Sequence, residues 1–168
     1  MAMRLQRLDA GGAVVGDHFI GDADQTSVFR FKHFGVARGG RYRLEIPDDP
    51  PPDDFFNVTV DNAWRAEDWF VLGLPWSGSV PVTGRLDSGS GPQPLATRIA
   101  AGTARALHNA GTSLADVLSD PTGGTMWQDT ANDLVWIKYV GGLALNVYNY
   151  NGTNDASLMR RYQIRLSR

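Results

Sequence analysis

The sequence contains no cysteine, so it can form neither disulfide bonds nor thiolate metal sites, and it has no cysteine nucleophile. Lysine and glutamate are also scarce. Among 16 basic and 18 acidic residues, only Lys32 and Lys138 are lysine and only Glu45 and Glu67 are glutamate. A GC-rich bacterial gene is the plainer explanation of this bias. Selection of arginine for bidentate binding of anions is the functional one.

The sequence also lacks long apolar runs and a strong charge of either sign. No run approaches the roughly 20 residues of a membrane helix, so we expect no membrane insertion. The net charge of −2 gives no general attraction to nucleic acid, and we expect no nucleic-acid partner. Residues 1–8 show no apolar segment typical of a signal peptide. The chain is then either intracellular or a piece of a longer secreted or cell-surface protein.

Alternation of apolar and polar residues is abundant. In residues 41–46, Tyr42, Leu44 and Ile46 are predicted to face inward, because side chains of a strand alternate between its two faces. We predict strands at residues 4–8, 13–20, 27–34, 41–46, 56–60, 69–74, 80–83, 125–129, 134–140, 143–150 and 159–167.

The best-marked stretch is Thr125 to Tyr150, which is predicted to form three successive strands. Residues 130–133 make a polar first turn, and Gly141-Gly142 fits a two-residue hairpin turn because glycine adopts positive φ without strain. The middle strand is apolar on both faces, which indicates a central position in a sheet.

One short helix is predicted within residues 109–120, with Ser113 and Asp116 in the spacing of a capping box. Ala96 to Leu107 is alanine-rich and could be a second helix, although Gly102 and Thr103 interrupt it. The absence of strand–helix alternation excludes a nucleotide-binding α/β fold. We therefore predict an all-β fold: a two-sheet antiparallel sandwich, jelly-roll-like, with one short helix, formed by residues 1–168 as a single domain.

Residues that could support catalysis or bind metal are scattered. His18, His33 and His108 lie far apart without metal-ligand spacing, and no G-x-S-x-G elbow is present, although a triad can assemble in space. Aspartate pairs could bind calcium or act as paired acids, yet no EF-hand spacing occurs and acidic loops are usually solvated. These pairs are Asp22/Asp24, Asp48/Asp49 and Asp53/Asp54. We expect no cofactor and a non-catalytic role.

Aromatic and arginine residues give a more specific indication. Exposed indoles stack on sugar rings, and guanidinium groups bind carboxylates or sulfates. The predicted glycan-binding residues are Trp64, Trp69, Trp76, Trp127, Arg41, Arg43, Arg161 and Arg165. The plainer alternative is that the tryptophans close the open ends of the sandwich and the arginines form a solvated face that pairs with Glu45.

Several motifs, in the same order along the chain, resemble the cell-migration-inducing and transmembrane hyaluronidase family. The similar segments are L-Q-R-L-D-A-G-G-A-V-V-G at 5–16, R-Y-R-L-E-I at 41–46, S-L-A-D-V-L at 113–118, M-W-Q-D at 126–129 and L-V-W-I-K at 134–138. The resemblance implies an all-β module of an extracellular hyaluronan-handling protein. The family's cysteines and parallel β-helix have no counterpart here, so it implies no catalytic residues.

Three functions follow as hypotheses. The first is a non-catalytic, carbohydrate-associated module of a secreted or surface polysaccharide-acting protein, which would bind polysaccharide or a neighbouring domain of the same protein. The second is a structural module that packs on a partner or on itself. The third is a small polysaccharide hydrolase that uses a carboxylate pair.

Overall fold

The structure is a computed structural model. It describes residues 2–22, 28–46, 54–60, 67–76, 82–87, 97, 100–101, 104–109, 111–121, 123–140, 144–149 and 160–167. The strands are β1 (Ala2–Leu8), β2 (Val14–Asp22), β3 (Val28–Gly35), β4 (Arg41–Glu45), β5 (Asp54–Val60), β6 (Trp69–Pro75), β7 (Val82–Asp87), β8 (Ala104–Asn109), β9 (Thr125–Asp129), β10 (Leu134–Val140), β11 (Ala144–Asn149) and β12 (Arg160–Ser167). Helix α1 spans Leu114–Ser119.

The twelve strands form one continuous sheet in the order β2-β1-β4-β6-β10-β9-β8-β7-β11-β5-β12-β3. Neighbours are antiparallel except β4–β6, β8–β9, β5–β12 and β12–β3, which are parallel. The sheet curls into a half-barrel, and its two edge strands, β2 and β3, follow one another in the chain and approach each other. The all-β prediction is confirmed.

The finer prediction of an antiparallel, two-sheet sandwich of the jelly-roll kind is wrong. The sheet is single and mixed, and it encloses the core by curling. Alternating apolar residues require only that one face of each strand be buried. A curled sheet satisfies that requirement on its concave face as well as two facing sheets do.

The inner face of the curl holds the main core, to which both halves of the sheet contribute. Two pairs of aromatic rings stack within this core. The ring centroids of Phe70 and Tyr139 are 4.8 Å apart, and those of Phe56 and Tyr162 are 5.0 Å apart. The buried members of this core are Leu5, Val36, Tyr42, Leu44, Ile46, Phe56, Val58, Phe70, Leu72, Leu74, Trp76, Leu86, Leu107, Met126, Val135, Ile137, Tyr139, Leu145, Val147, Tyr162, Ile164 and Leu166.

The predicted three-strand meander is only half correct. The turn at residues 130–133 joins β9 to β10 as expected, and Asp133 there has φ of 51°. Strand β10 lies between β6 and β9, which confirms its central position. Strand β11 instead pairs with β5 and β7, so a hairpin between β10 and β11 is excluded. The residues of the expected Gly141-Gly142 turn lie outside the described part of the chain.

The alanine-rich stretch at 96–107 is also divided differently from the prediction. The N–H of Ala101 donates to the carbonyl of Thr97 at 3.0 Å in a helical turn, and the chain then enters strand β8. Local alanine content favours helix, but pairing with β7 and β9 decides for strand. Helix α1 was correctly expected, with Ser113 as its N-cap.

Gly73 lies opposite Trp136 in the β6–β10 pair, and the indole packs flat on its backbone. A Cβ atom at position 73 would lie 2.9 Å from Cζ3 of Trp136 and 3.1 Å from Cε3 and Cη2. Such distances are shorter than van der Waals contact allows, and Trp136 has little room to move because it is itself buried. The sheet therefore needs a residue without a side chain at this position.

The substitution Gly73→Ala should lower the free energy of unfolding by about 1–3 kcal/mol, because the methyl group overpacks the indole. Urea unfolding measures this loss. In a Trp136→Leu background the same substitution should cost clearly less, since the obstructing ring is gone. An equal loss in both backgrounds would show that the indole is not the cause.

Candidate functional site

Helix α1 covers the outer face of the sheet where β6, β10 and β9 lie side by side. The helix begins at Ser113, whose hydroxyl accepts the N–H of Asp116 at 3.3 Å. Its apolar residues complete a second, smaller core on this face. The members of that core are Leu8, Val71, Val117, Leu134 and Trp136, with Trp69, Leu114, Leu118 and Trp127 packed around them.

Lys138 on β10 holds the end of this helix. Its side chain is buried, with 8% of the residue exposed. The ammonium group donates to the carbonyl oxygens of Leu118 at 3.1 Å and Asp120 at 2.8 Å. It also lies 4.6 Å from the centroid of the Trp69 ring. Because the last carbonyls of a helix carry partial negative charge, a cation there is favourable, and the indole adds a cation–π attraction.

Trp69 is the first residue of β6 and lies at the margin of the helix cover, half-buried. The loop before β4 runs beside it. The N–H of Gly39 donates to the Trp69 carbonyl at 2.5 Å, and the carbonyl of Gly40 accepts the N–H of Val71 at 2.9 Å. Gly39 has φ of 69°, which favours glycine there. These bonds fix the backbone on which the indole is presented.

Charged residues lie next to Trp69 in the chain and on the neighbouring strand. Nε of Arg38 donates to Oδ2 of Asp68 at 2.9 Å, immediately before Trp69 in the chain. Arg41 begins the neighbouring strand β4, and its Nη1 donates to the carbonyl of Ala10 at 2.5 Å. We name Trp69, Arg38, Asp68, Arg41 and Lys138 together the Trp69 surface. It combines a half-buried aromatic ring with four charged side chains, of which Asp68 and Lys138 are themselves buried.

The predicted tryptophans differ in their burial and in their position within the strands. Trp69 keeps part of its surface exposed. Trp127 lies in the middle of β9, not at a strand end, and packs half-buried against the second core. Trp76 is only 3% exposed and packs near Phe56 in the main core, so its predicted contact with glycan is wrong. Trp64 lies outside the described residues.

The predicted arginines lie on two separate parts of the sheet. Arg41 and Arg43 lie on β4, whereas Arg161 and Arg165 lie on β12, and these strands are not neighbours in the sheet. Arg43 donates from Nε and Nη2 to Oε1 of Gln6 at 2.9 and 2.6 Å, within the protein. Arg165 is exposed, and the side chain of Arg161 lies outside the described part.

The residues considered for catalysis gain little support. His108 is exposed, and the side chains of His18 and His33 lie outside the described part of the chain. So do Asp24, Asp48, Asp49 and Asp53 from the aspartate pairs. Over the described ranges, no group of three or more His, Asp or Glu side chains is arranged to hold a metal ion.

Comparison with protein-family models, curated proteins and solved structures finds no match to this chain. The resemblance to the hyaluronidase family therefore stays a prediction. A further finding concerns membranes: none of the helices described here has the length and apolar character needed to cross a bilayer.

Three members of the Trp69 surface were missed from the sequence: Arg38, Asp68 and Lys138. Lys138 offered a signal, since a lone lysine in an otherwise apolar strand needs buried partners. Trp76 offered one too. It continues the alternation of Phe70, Leu72 and Leu74, which places it on the core side. Nothing in the sequence indicated that Arg38 and Asp68 pair, because they are thirty residues apart.

The carboxylate of Asp116 accepts the N–H of Thr112 at 2.7 Å and its hydroxyl at 2.8 Å. The bond from the Thr112 backbone is the main reason that the pKa of Asp116 lies below its ordinary value. The ionised form is therefore favoured in the folded state. Its contribution to stability is present above the unfolded pKa and is lost as the pH falls through the lowered folded pKa.

We expect Asp116→Asn to lower the melting temperature at neutral pH, since the amide is a weaker acceptor for Thr112. The difference from the native chain should shrink as the pH falls below about 4, where the native carboxylate also becomes protonated. Melting curves between pH 2 and 7 measure it. A difference that stays constant with pH would contradict the assignment.

Proposed function

We propose that this chain is a non-catalytic glycan-binding module and that the Trp69 surface is its binding site. The observation that carries the proposal is the half-buried indole of Trp69, fixed by Lys138. An aromatic ring stacks on the C–H face of a sugar ring. The exposed Arg38, which pairs with Asp68 just before Trp69 in the chain, would donate to sugar hydroxyls.

The rigidity of this surface supports the same proposal. Trp69 is held through its backbone by Gly39 and through its ring by Lys138. A side chain that is already ordered loses little conformational entropy on binding, so more of the contact energy appears as affinity. The motif resemblance gives the proposal its context, a module of a longer secreted or surface protein that acts on polysaccharide.

The proposal predicts that Trp69→Ala weakens glycan binding at least tenfold, which corresponds to about 1.4 kcal/mol. Affinity electrophoresis through gels that contain hyaluronan, xylan, soluble cellulose derivatives or dextran measures retardation of the folded chain. Leu114→Ala is the matched control, because it removes another partly buried apolar side chain from the same outer core.

The melting temperatures of both variants should be measured beside the binding, so that a loss of folding is recognised. The proposal fails if no polysaccharide retards the native chain. It also fails if Trp69→Ala is retarded as strongly as the native chain, or if Leu114→Ala loses as much.

A second candidate function, self-assembly, is favoured by the edge strand β2. Val14 and Val15 are 39% and 61% exposed there, and β2 pairs on one side with β1. An edge strand carries backbone groups that can pair with another strand, and exposed valines would add apolar contact.

If β2 mediates assembly, Val15→Lys should shift the chain from dimer to monomer, since a lysine on an edge strand opposes pairing. Size-exclusion chromatography with light scattering measures the mass. Thr130→Lys, in the exposed β9–β10 turn, adds the same charge elsewhere and should leave the mass unchanged. A native chain that is monomeric at every concentration tested would eliminate this candidate.

A further inference from the structure

One buried cation links helix α1 to the indole of Trp69. Lys138 on β10 and Trp69 on β6 lie on neighbouring, paired strands. The ammonium group of Lys138 lies 4.6 Å from the centroid of the Trp69 ring. It also donates to the carbonyl oxygens of Leu118 at 3.1 Å and Asp120 at 2.8 Å. We name these three contacts of one ammonium group the lysine bridge.

The two carbonyl acceptors of the lysine bridge are held in different ways. The carboxylate of Asp120 accepts the N–H of Gly124 at 2.6 Å and the N–H of Thr125 at 2.7 Å, which ties this residue to the start of β9. The carbonyl of Leu118 belongs to α1 and keeps its position only while the last turn of the helix is formed. Lys138 is therefore linked to the state of the helix through Leu118.

Helix α1 has six residues, and so short a helix is unstable without other contacts. In the first turn the carboxylate of Asp116 accepts the N–H and the hydroxyl of Thr112. In the last turn the hydroxyl of Ser119 donates to the carbonyl of Asp116 at 2.9 Å, which joins the two ends of the helix. Because helix formation is cooperative, weaker bonds at Asp116 should also loosen the last turn.

Opening of the last turn would leave Lys138 incompletely paired. The residue is only 8% exposed, so its charge depends on its acceptors within the protein. Withdrawal of the Leu118 carbonyl would remove one of its two hydrogen bonds. A buried cation without full compensation is costly, so the ammonium group would move toward water and away from the indole of Trp69.

We propose that the lysine bridge couples the folding of α1 to the position of the Trp69 indole, with Lys138 as the positioning residue. The ring is fixed while the last turn of α1 is formed and is released when that turn opens. The coupling is reciprocal, so a ligand that holds the ring also stabilises the helix. The inference rests on the proposed function for its role, a glycan site regulated by α1, but the coupling is tested without a glycan.

The test uses the full chain labelled with fluorotryptophan, in which Trp69→Phe identifies the fluorine NMR signal of residue 69. Asp116→Asn weakens the first turn of α1 and should move this signal toward the position of free fluorotryptophan. Lys138→Met keeps an unbranched apolar side chain, removes the ammonium group and should move the signal further. In the Lys138→Met background, Asp116→Asn should move it by less than a third as much as in the native chain, because the bridge is already broken. Asp133→Asn, the same change in the exposed β9–β10 turn, is the matched control and should leave the signal in place.

An unmoved Trp69 signal in Asp116→Asn would overturn the inference, even if Lys138→Met does not fold. Equal shifts by Asp116→Asn in both backgrounds would overturn it too, since the helix would then act on the ring without the lysine. So would an equal shift in Asp133→Asn.

Glycan binding is measured separately on the same variants. With a glycan that retards the native chain, Asp116→Asn should weaken binding about threefold, the size of a modest cation–π contact, and should add nothing in the Lys138→Met background. Equal weakening in both backgrounds would refute regulation through the bridge. If no glycan retards the native chain while the fluorine signals shift as expected, the coupling is supported and the proposed function is refuted.

Discussion

Burial of both faces of strand β10 is the constraint on which the rest of the structure depends. Val135, Ile137 and Tyr139 pack into the main core on one side, and Leu134 and Trp136 pack under helix α1 on the other. A strand that is apolar on both faces must have strands at both its edges and a cover over its outer face. The curl of the sheet supplies the first core and α1 supplies the cover.

This constraint explains several otherwise separate features. The cover brings the end of α1 over β10, where Lys138 donates to the carbonyl oxygens of Leu118 and Asp120. The space under the helix is filled by the indole of Trp136, which is why residue 73 on the next strand must be glycine. Trp69 lies at the margin of the helix cover and stays half-buried.

The two outer surfaces differ in composition. Over β6, β10 and β9 the outer face is apolar and lies beneath α1. Over β7, β11, β5 and β12 the described outer face holds the Asn57–Asn146 bond and exposed Arg165. Asn146 is itself only 8% exposed, so the bond with Asn57 satisfies a buried polar group there.

Local features of the fold could be predicted from the sequence because they depend on neighbours in the chain. Alternation in residues 41–46 predicted the inward residues correctly, and the Ser113–Asp116 spacing predicted the helix cap. Of the candidate site, Trp69 and Arg41 were predicted, and Trp76 was wrong although its alternation with Leu74 already indicated burial. The pairing of Arg38 with Asp68 could not be predicted, since it depends on where two distant loops meet.

The amino-acid sequence by itself determined most of the strands, though not β8, as well as the inward face of strands such as β4 and the position where α1 begins. Only the tertiary structure decided that β10 pairs with β6 and β9, that β11 joins β5 and β7, and that one curled sheet replaces two facing ones. The physical reason is that every strand presents the same backbone donors and acceptors. Partner choice is therefore decided by packing among residues far apart in the chain, which a local pattern does not encode.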